Sequence, residues 1–192
     1  MKRAVLYVPG LGDHRSGSQR AALKLWRVYG VYSEVVLMQW LVAEPLETKL
    51  ARLLTRIDSL HEQGYAVSLV GASAGASIIV HAFARRQDVV RRVVCICGKL
   101  QHPETIGAGT YRRNSAFGES LALLPQSLDM LDDAARKRVL SIRPLADASV
   151  PPADTIVPGF ETATIPSYGH AVSIALGLTL FSPLAIGFIR RD

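Results

Sequence analysis

A three-layer α/β/α sandwich is the fold class this sequence predicts, with a mostly parallel sheet of about six strands. Three observations carry it. Short apolar runs rich in β-branched residues recur along the chain, amphipathic helical patterns lie between them, and no repeat, low-complexity tract or flexible linker divides the 192 residues. Alternating strands and helices imply crossover connections, which place helices on both faces of a parallel sheet. Strands buried on both faces read as continuous apolar runs, as these do. The length suits one domain, 1–192, with a substantial core.

Taken in order, the expected strands are Ala4–Val8, Glu34–Met38, Ala66–Val70, Arg92–Cys97, Val139–Ile142 and Thr162–Ile165. Ser18–Tyr29 reads as a helix from its apolar positions 21, 22, 25, 26 and 29. Glu44–Glu62 carries the stripe Leu46, Leu50, Leu53, Leu54, Ile57, Leu60, the face of an amphipathic helix. Ala76–Arg86 follows a glycine-rich turn, and Ala171–Ile189 forms an apolar terminal helix broken near Pro183. Lys99–Arg138 interrupts this rhythm. It offers the loop-like PETIGAGTYRRN and then two helices, Ser115–Leu124 and Pro125–Arg138. An insertion between two parallel strands emerges at the carboxyl edge of the sheet, where open α/β sheets bind ligands, and could form a pocket rim or partial lid.

Composition narrows the function. The formal charge is +6, but its arginines are scattered in short pairs without interleaved aromatics or a nucleic-acid motif. Specific nucleic-acid binding is not expected. Cys95 and Cys97 alternate along a strand, which puts them on one face as small core hydrophobes, and no further ligands stand at metal spacing. No metal or cofactor is expected. The N-terminal apolar run is too short for a signal peptide, and SIALGLTLFSPLAIGFI is too short and too broken to span a bilayer. The expectation is a cytoplasmic protein with no stable membrane insertion; the sequence does not fix its oligomeric state.

The chemistry centres on Gly71-Ala72-Ser73-Ala74-Gly75, a G-x-S-x-G at a strand-to-helix junction. A serine hydroxyl is a weak nucleophile and must be presented to a base and a carbonyl. A tight, strained turn lifts it to the apex; flanking glycines and small alanines let strand and helix backbones approach. The alternative for this stretch is a plain Gly-rich turn.

A base and an acid are required. Of the five histidines, His61 and His81 lie on helices, His14 in the first loop and His102 in the insertion; His170 follows the last expected strand in IPSYGHAV and reaches the same sheet edge as Ser73. The order Ser, acid, His selects among the aspartates. Asp147 stands just past the strand VLSIR, and Asp154 competes because DASVP and DTIVP share a spacing. Asp154 follows Pro151-Pro152, where a first-turn acid has a structural use. Asp147 is preferred. An oxyanion hole would use the backbone N–H of Ala74 and, from the early loop VPGLGDHRSGS, that of Leu11. That loop lacks the glycine and lysine spacing of a nucleotide site.

These segments together resemble the α/β-hydrolase superfamily, in particular its small single-domain esterases and minimal lipases. The likeness runs through VPGLG, GASAG, SIRPLADASVP and SYGH, with Pro9 where a histidine commonly precedes the glycine. It implies the hydrolase sheet order and Asp147 as the acid. The function expected is hydrolysis of an ester, thioester or related acyl bond of a small molecule, through an acyl-enzyme on Ser73. An acyltransferase with the same three residues and a non-catalytic scaffold are the rival readings. Lys99, His102, Arg112 and Arg113 could attract an anionic acyl group, or form a solvated basic surface.

Overall fold

The computed structural model describes residues 2–191, and their sheet has six strands, all parallel, in the order β2-β1-β3-β4-β5-β6. The strands are β1 Lys2–Val8, β2 Val31–Val35, β3 Tyr65–Ala72, β4 Val90–Ile96, β5 Val139–Ala146 and β6 Glu161–Tyr168. The helices are α1 Gly17–Lys24, α2 Leu46–Glu62, α3 Ala74–Arg85, α4 Ala108–Arg113, α5 Ser115–Asp129, α6 Asp133–Arg136, α7 His170–Leu178 and α8 Ser182–Ile189. Short 3-10 turns lie at Asp13–Arg15, Leu25–Tyr29, Pro103–Thr105 and Pro152–Thr155.

Ala4 to Val8 are without solvent exposure, as a strand between two neighbours and under helices on both faces must be. One face of the sheet packs on α2, α3 and α5 through Leu50, Leu53, Ile57, Ile79, Phe83 and Leu121. The other packs on α1, α7 and α8 through Leu23, Trp26, Ile174, Leu178 and Phe188. Trp26 Nε1, in the 3-10 turn that continues α1, donates to the Leu178 carbonyl at 3.0 Å, so this end of α1 is tied to α7 as well as packed.

Three expectations need correction. The second strand is Val31–Val35 rather than Glu34–Met38: beyond the Val36 N–H bond to Tyr7 O the chain leaves the sheet, and Met38 and Trp40 enter the core from a loop. That loop turns through Gln39 at φ 52°, whose N–H donates to Asp13 at 2.6 Å. Lys49, wholly buried, donates to the carbonyls of Met38, Gln39 and Val42, and burial pushes its pKa down. An irregular segment is thereby fixed by a charged side chain in place of a ladder.

The two helices read around Pro125 are one, Ser115–Asp129, with Pro125 inside it. Its buried stripe runs Phe117, Ser120, Leu121, Leu124, Ser127, so packing overrides the lost N–H. The terminal helix breaks before Pro183, at residues 179–181, and Pro183 sits in the first turn of α8. The two halves are bent by 53°, and no single helix among the described residues is long and apolar enough to cross a membrane. Finally, Cys95 and Cys97 lie in the cores on opposite faces of the sheet. β4 ends at Ile96, and Cys97 takes φ 49°, which breaks the strand alternation. Both are free, buried thiols with pKa pushed up to about 12, chiefly by burial.

Candidate active site

Ser73 stands between the end of β3 and the start of α3 with φ 53° and ψ −122°. This is a left-handed, costly backbone for a residue with a Cβ, and the surroundings must hold it. They do so by hydrogen bonds on both sides: Ser73 N–H donates to Ile96 O at 3.1 Å, while its carbonyl accepts from Ala76 and Lys99. The glycines are there for close approach. A Cβ on Gly75 would lie 2.1 Å from Val8 O, one on Gly71 2.5 Å from Gly75 O, and one on Gly10 2.8 Å from Ser73 Cβ. The loop after β1 therefore rides directly on the serine. Ala74 opens α3, so its amide lacks an intrahelical acceptor, and Leu11 is half-buried beside Gly10.

Gly169, at φ 81°, turns the chain out of β6 so that His170 opens α7. His170 Nδ1 lies 2.6 Å from Asp147 Oδ2. Asp147 directly follows β5 and its side chain is fully buried. Its other oxygen accepts the N–H groups of Ser149 and Val150 at 2.8 and 3.0 Å, so the carboxylate is fixed by three donors. An acceptor at Nδ1 places the ring proton there and leaves Nε2 as the basic nitrogen of the neutral ring.

Ser73, His170, Gly10 and Leu11 line one cavity of about 510 Å³, together with Gln19 of α1, Lys99, and Ile106, Thr110 and Phe117 of the insertion. Three of the sequence-selected residues, Ser73, His170 and Leu11, thus face one space, with Asp147 behind the histidine and Ala74 beside the serine. The other histidines do not share it. His14, His61 and His102 are exposed on other elements, and His81 is buried between α3 and α5, bonded to Ser127 Oγ and Ser120 O.

Two features are not foreseen by the sequence reading. Lys99 is not part of a solvated basic surface: it is 1% exposed and its ammonium is ion-paired with Asp154, with a second bond to Thr105 Oγ1 at 2.5 Å. Asp154 accordingly serves a buried ion pair rather than an exposed helix start, and its backbone carbonyl accepts from Leu100 and Gln101. The pair binds the turn after β4 to the β5–β6 connection just below the serine. The second is Trp40, whose indole donates to Pro9 O at 3.2 Å and meets Phe117 edge-on at 6.1 Å, linking the early loop to the insertion. A lone lysine just past a strand, or a tryptophan in a loop, carries no sequence signal of this kind.

A six-stranded parallel sheet in this order, with a serine turn after its third strand, an acid after the fifth and a histidine after the sixth, is the α/β-hydrolase fold. Solved structures of that class superpose on nearly the whole chain. Est1E from Butyrivibrio proteoclasticus matches with a TM-score of 0.70 at 14% identity, over 96% of this chain and 88% of that one. A carboxylesterase structure from the thaumarchaeon Nitrososphaera gargenis matches with a TM-score of 0.69 at 12% identity, over 98% and 90% of the two chains. The monoacylglycerol lipase of Paleococcus ferrophilus matches at 0.62 and 14% identity, over 97% and 93%. No protein-family model and no curated protein matches the sequence.

Proposed function

We propose that this protein is a serine hydrolase that cleaves carboxylic esters or related acyl bonds of small molecules. The observation that carries this reading is the opening onto one cavity of a serine on a strained turn and a histidine whose Nδ1 is bonded to a buried carboxylate. The structural neighbours, esterases and lipases, lend it support.

In the proposed reaction Ser73 Oγ attacks the carbonyl carbon as His170 Nε2 takes its proton. Asp147 holds the tautomer and stabilises the imidazolium. Negative charge on the carbonyl oxygen is met by the amides of Ala74 and Leu11, which need no reorganisation at that moment. Collapse expels the alcohol, which receives the proton from His170 and leaves an acyl-enzyme on Ser73. Water, deprotonated by His170, then attacks the acyl carbon; the second collapse returns the proton to Ser73 and frees the acid. The single domain 1–192 carries all of these groups, and segment 99–138, through Ile106, Thr110 and Phe117, serves as a partial lid.

A fluorophosphonate probe tests the reading. Stoichiometric labelling of the wild type at Ser73, absent in Ser73→Ala, together with turnover of p-nitrophenyl esters, is the expected result. A wild type that neither labels nor turns over would support the scaffold alternative instead.

A further inference from the structure

Gln19, in the first turn of α1, lines the same cavity as Ser73 and His170. Its side-chain oxygen accepts the Tyr7 hydroxyl at 3.0 Å. Tyr7 sits on β1, a strand flanked by β2 and β3, with no solvent exposure. A buried hydroxyl needs an acceptor for its proton, and an amide flipped to present NH₂ would leave that proton unsatisfied. Burial also pushes the Tyr7 pKa far up, so the hydroxyl remains a donor at every ordinary pH. The amide of Gln19 is thereby oriented from beneath. Among the described residues its NH₂ group has no acceptor. Lys99, the one lysine or arginine on the cavity wall, is neutralised by Asp154, so no unpaired fixed cation is offered to an anion.

Resting on the hydrolase reading above, we infer that Gln19 is a specificity-determining donor, held by Tyr7, which selects uncharged esters bearing an acceptor oxygen away from the scissile carbonyl. An ether, hydroxyl or carbonyl oxygen would take the amide N–H in place of water, and a purely aliphatic chain would leave the donor unpaired in the cavity. Such an oxygen can belong to the acyl or to the alcohol portion, and the chemistry at Gln19 is the same.

The test compares matched ester pairs in which one methylene is replaced by an ether oxygen. One arm moves the oxygen along the acyl chain of p-nitrophenyl hexanoate. The other compares acetates of methoxyalkyl alcohols with those of the matching alkyl alcohols. Each ratio of kcat/KM is corrected for the hydroxide-catalysed rates of the same esters. The wild type is expected to favour the oxygen-bearing member by about tenfold at one position in one arm, the worth of a single well-placed hydrogen bond. Gln19→Leu should bring that ratio near one. Gln19→Glu still accepts the Tyr7 hydroxyl but donates nothing, so it too should lose the preference; a purely structural role for Gln19 would survive this change. Tyr7→Phe frees the amide to rotate and should narrow the ratio, mainly through KM. Fluorophosphonate labelling of each variant at Ser73 shows that its site is assembled. A wild type that labels but shows no oxygen preference in either arm overturns the inference and leaves the hydrolase reading standing. So does a Gln19→Glu variant with the wild-type ratio, or faster cleavage of a carboxylate-bearing ester than of its neutral counterpart. Failure of the wild type to label or hydrolyse removes both.

Discussion

Asp147 Oδ2 is 2.6 Å from His170 Nδ1, while Oδ1 of the same carboxylate accepts two backbone N–H groups from the turn that follows. With both oxygens committed, the carboxylate cannot swing away from the ring. Asp147→Asn keeps the shape and removes the charge and one acceptor. It is expected to lower kcat by about 10⁴-fold, because the imidazole loses its tautomer control. Steady-state kinetics beside a thermal melt check this: the melting temperature should move little. A kinetic loss that followed Asp154→Asn instead would reassign the acid.

Ser73→Ala should abolish ester hydrolysis, with a loss of roughly 10⁴-fold or more, and leave the circular dichroism melt close to that of the wild type. The left-handed backbone is as costly for alanine as for serine, so the fold pays nothing new. His170→Ala should cost a similar factor. Hydrolysis that survives either change at near wild-type rate removes that residue from the reaction.

Asp154→Asn is expected to destabilise the protein far more than an exposed first-turn acid would. A first-turn acid after Pro151-Pro152, as the sequence predicts, is worth about 0.3–1 kcal/mol through the helix dipole. Lys99 and Asp154 are instead 1% and 4% exposed at their side chains, and stranding one partner of a buried pair costs about 3–5 kcal/mol. Denaturant midpoints measure it, and the double variant Lys99→Met with Asp154→Leu should recover much of the loss. A midpoint change equivalent to only a few tenths of a kcal/mol, the worth of about one surface pair, would refute the buried-pair account.

Gly75→Ala should not yield a stably folded protein, because its Cβ would meet the Val8 and Pro9 carbonyl oxygens at 2.1 and 2.8 Å, and backbone cannot step aside. The strain should lie at or above the roughly 3 kcal/mol typical of severe overpacking. Gly109→Ala is the contrast: nothing lies within 4 Å and the residue is helical, so a gain of about 0.5 kcal/mol is expected. Soluble yield and melting temperature of the two variants, compared side by side, decide the matter.

His81 should make the fold acid-sensitive. Burial lowers its pKa, with Arg85 adding to the effect; the bond to the Ser120 carbonyl and the charge of Glu47 oppose it. The unfolded chain therefore binds this proton at a higher pH than the folded one. Stability from the neutral ring is complete above the ordinary histidine pKa of about 6.5 and is lost as the pH falls from there toward the folded value. Urea midpoints for wild type and His81→Gln at a series of pH values below 7.5 should diverge, the wild type falling more steeply by up to about 1.4 kcal/mol per pH unit. Parallel curves would refute it.

The fold class and the positions of Ser73, Asp147 and His170 could be read from the sequence because each depends on local pattern. A fully buried parallel strand must be apolar throughout, a serine turn needs small neighbours, and residues just past strand ends share one edge. What could not be read depends on long-range pairing. Val36 to Met38 is as apolar as any strand here, and only the end of its pairing with β1 takes it out of the sheet. Pro125 breaks helices in isolation, yet Leu121 and Leu124 before it and Ser127 after it pack as one face. Lys99 looks like any exposed lysine until Asp154, 55 residues later, is brought against it.

The sheet order also sets a schedule. β2, β1 and β3 are neighbours in space and all lie before residue 73, so this half-sheet can assemble while the rest of the chain is still being synthesised. α7 arrives only after all six strands, and it closes on the turn that follows α1 through the bond from Trp26 to Leu178, 152 residues away. If the proposed reaction holds, the nascent chain displays Ser73 long before His170 exists, and the site is complete only once α7 docks. Trp26, buried where the turn after α1 meets α7, turns that docking into a fluorescence change that can be timed.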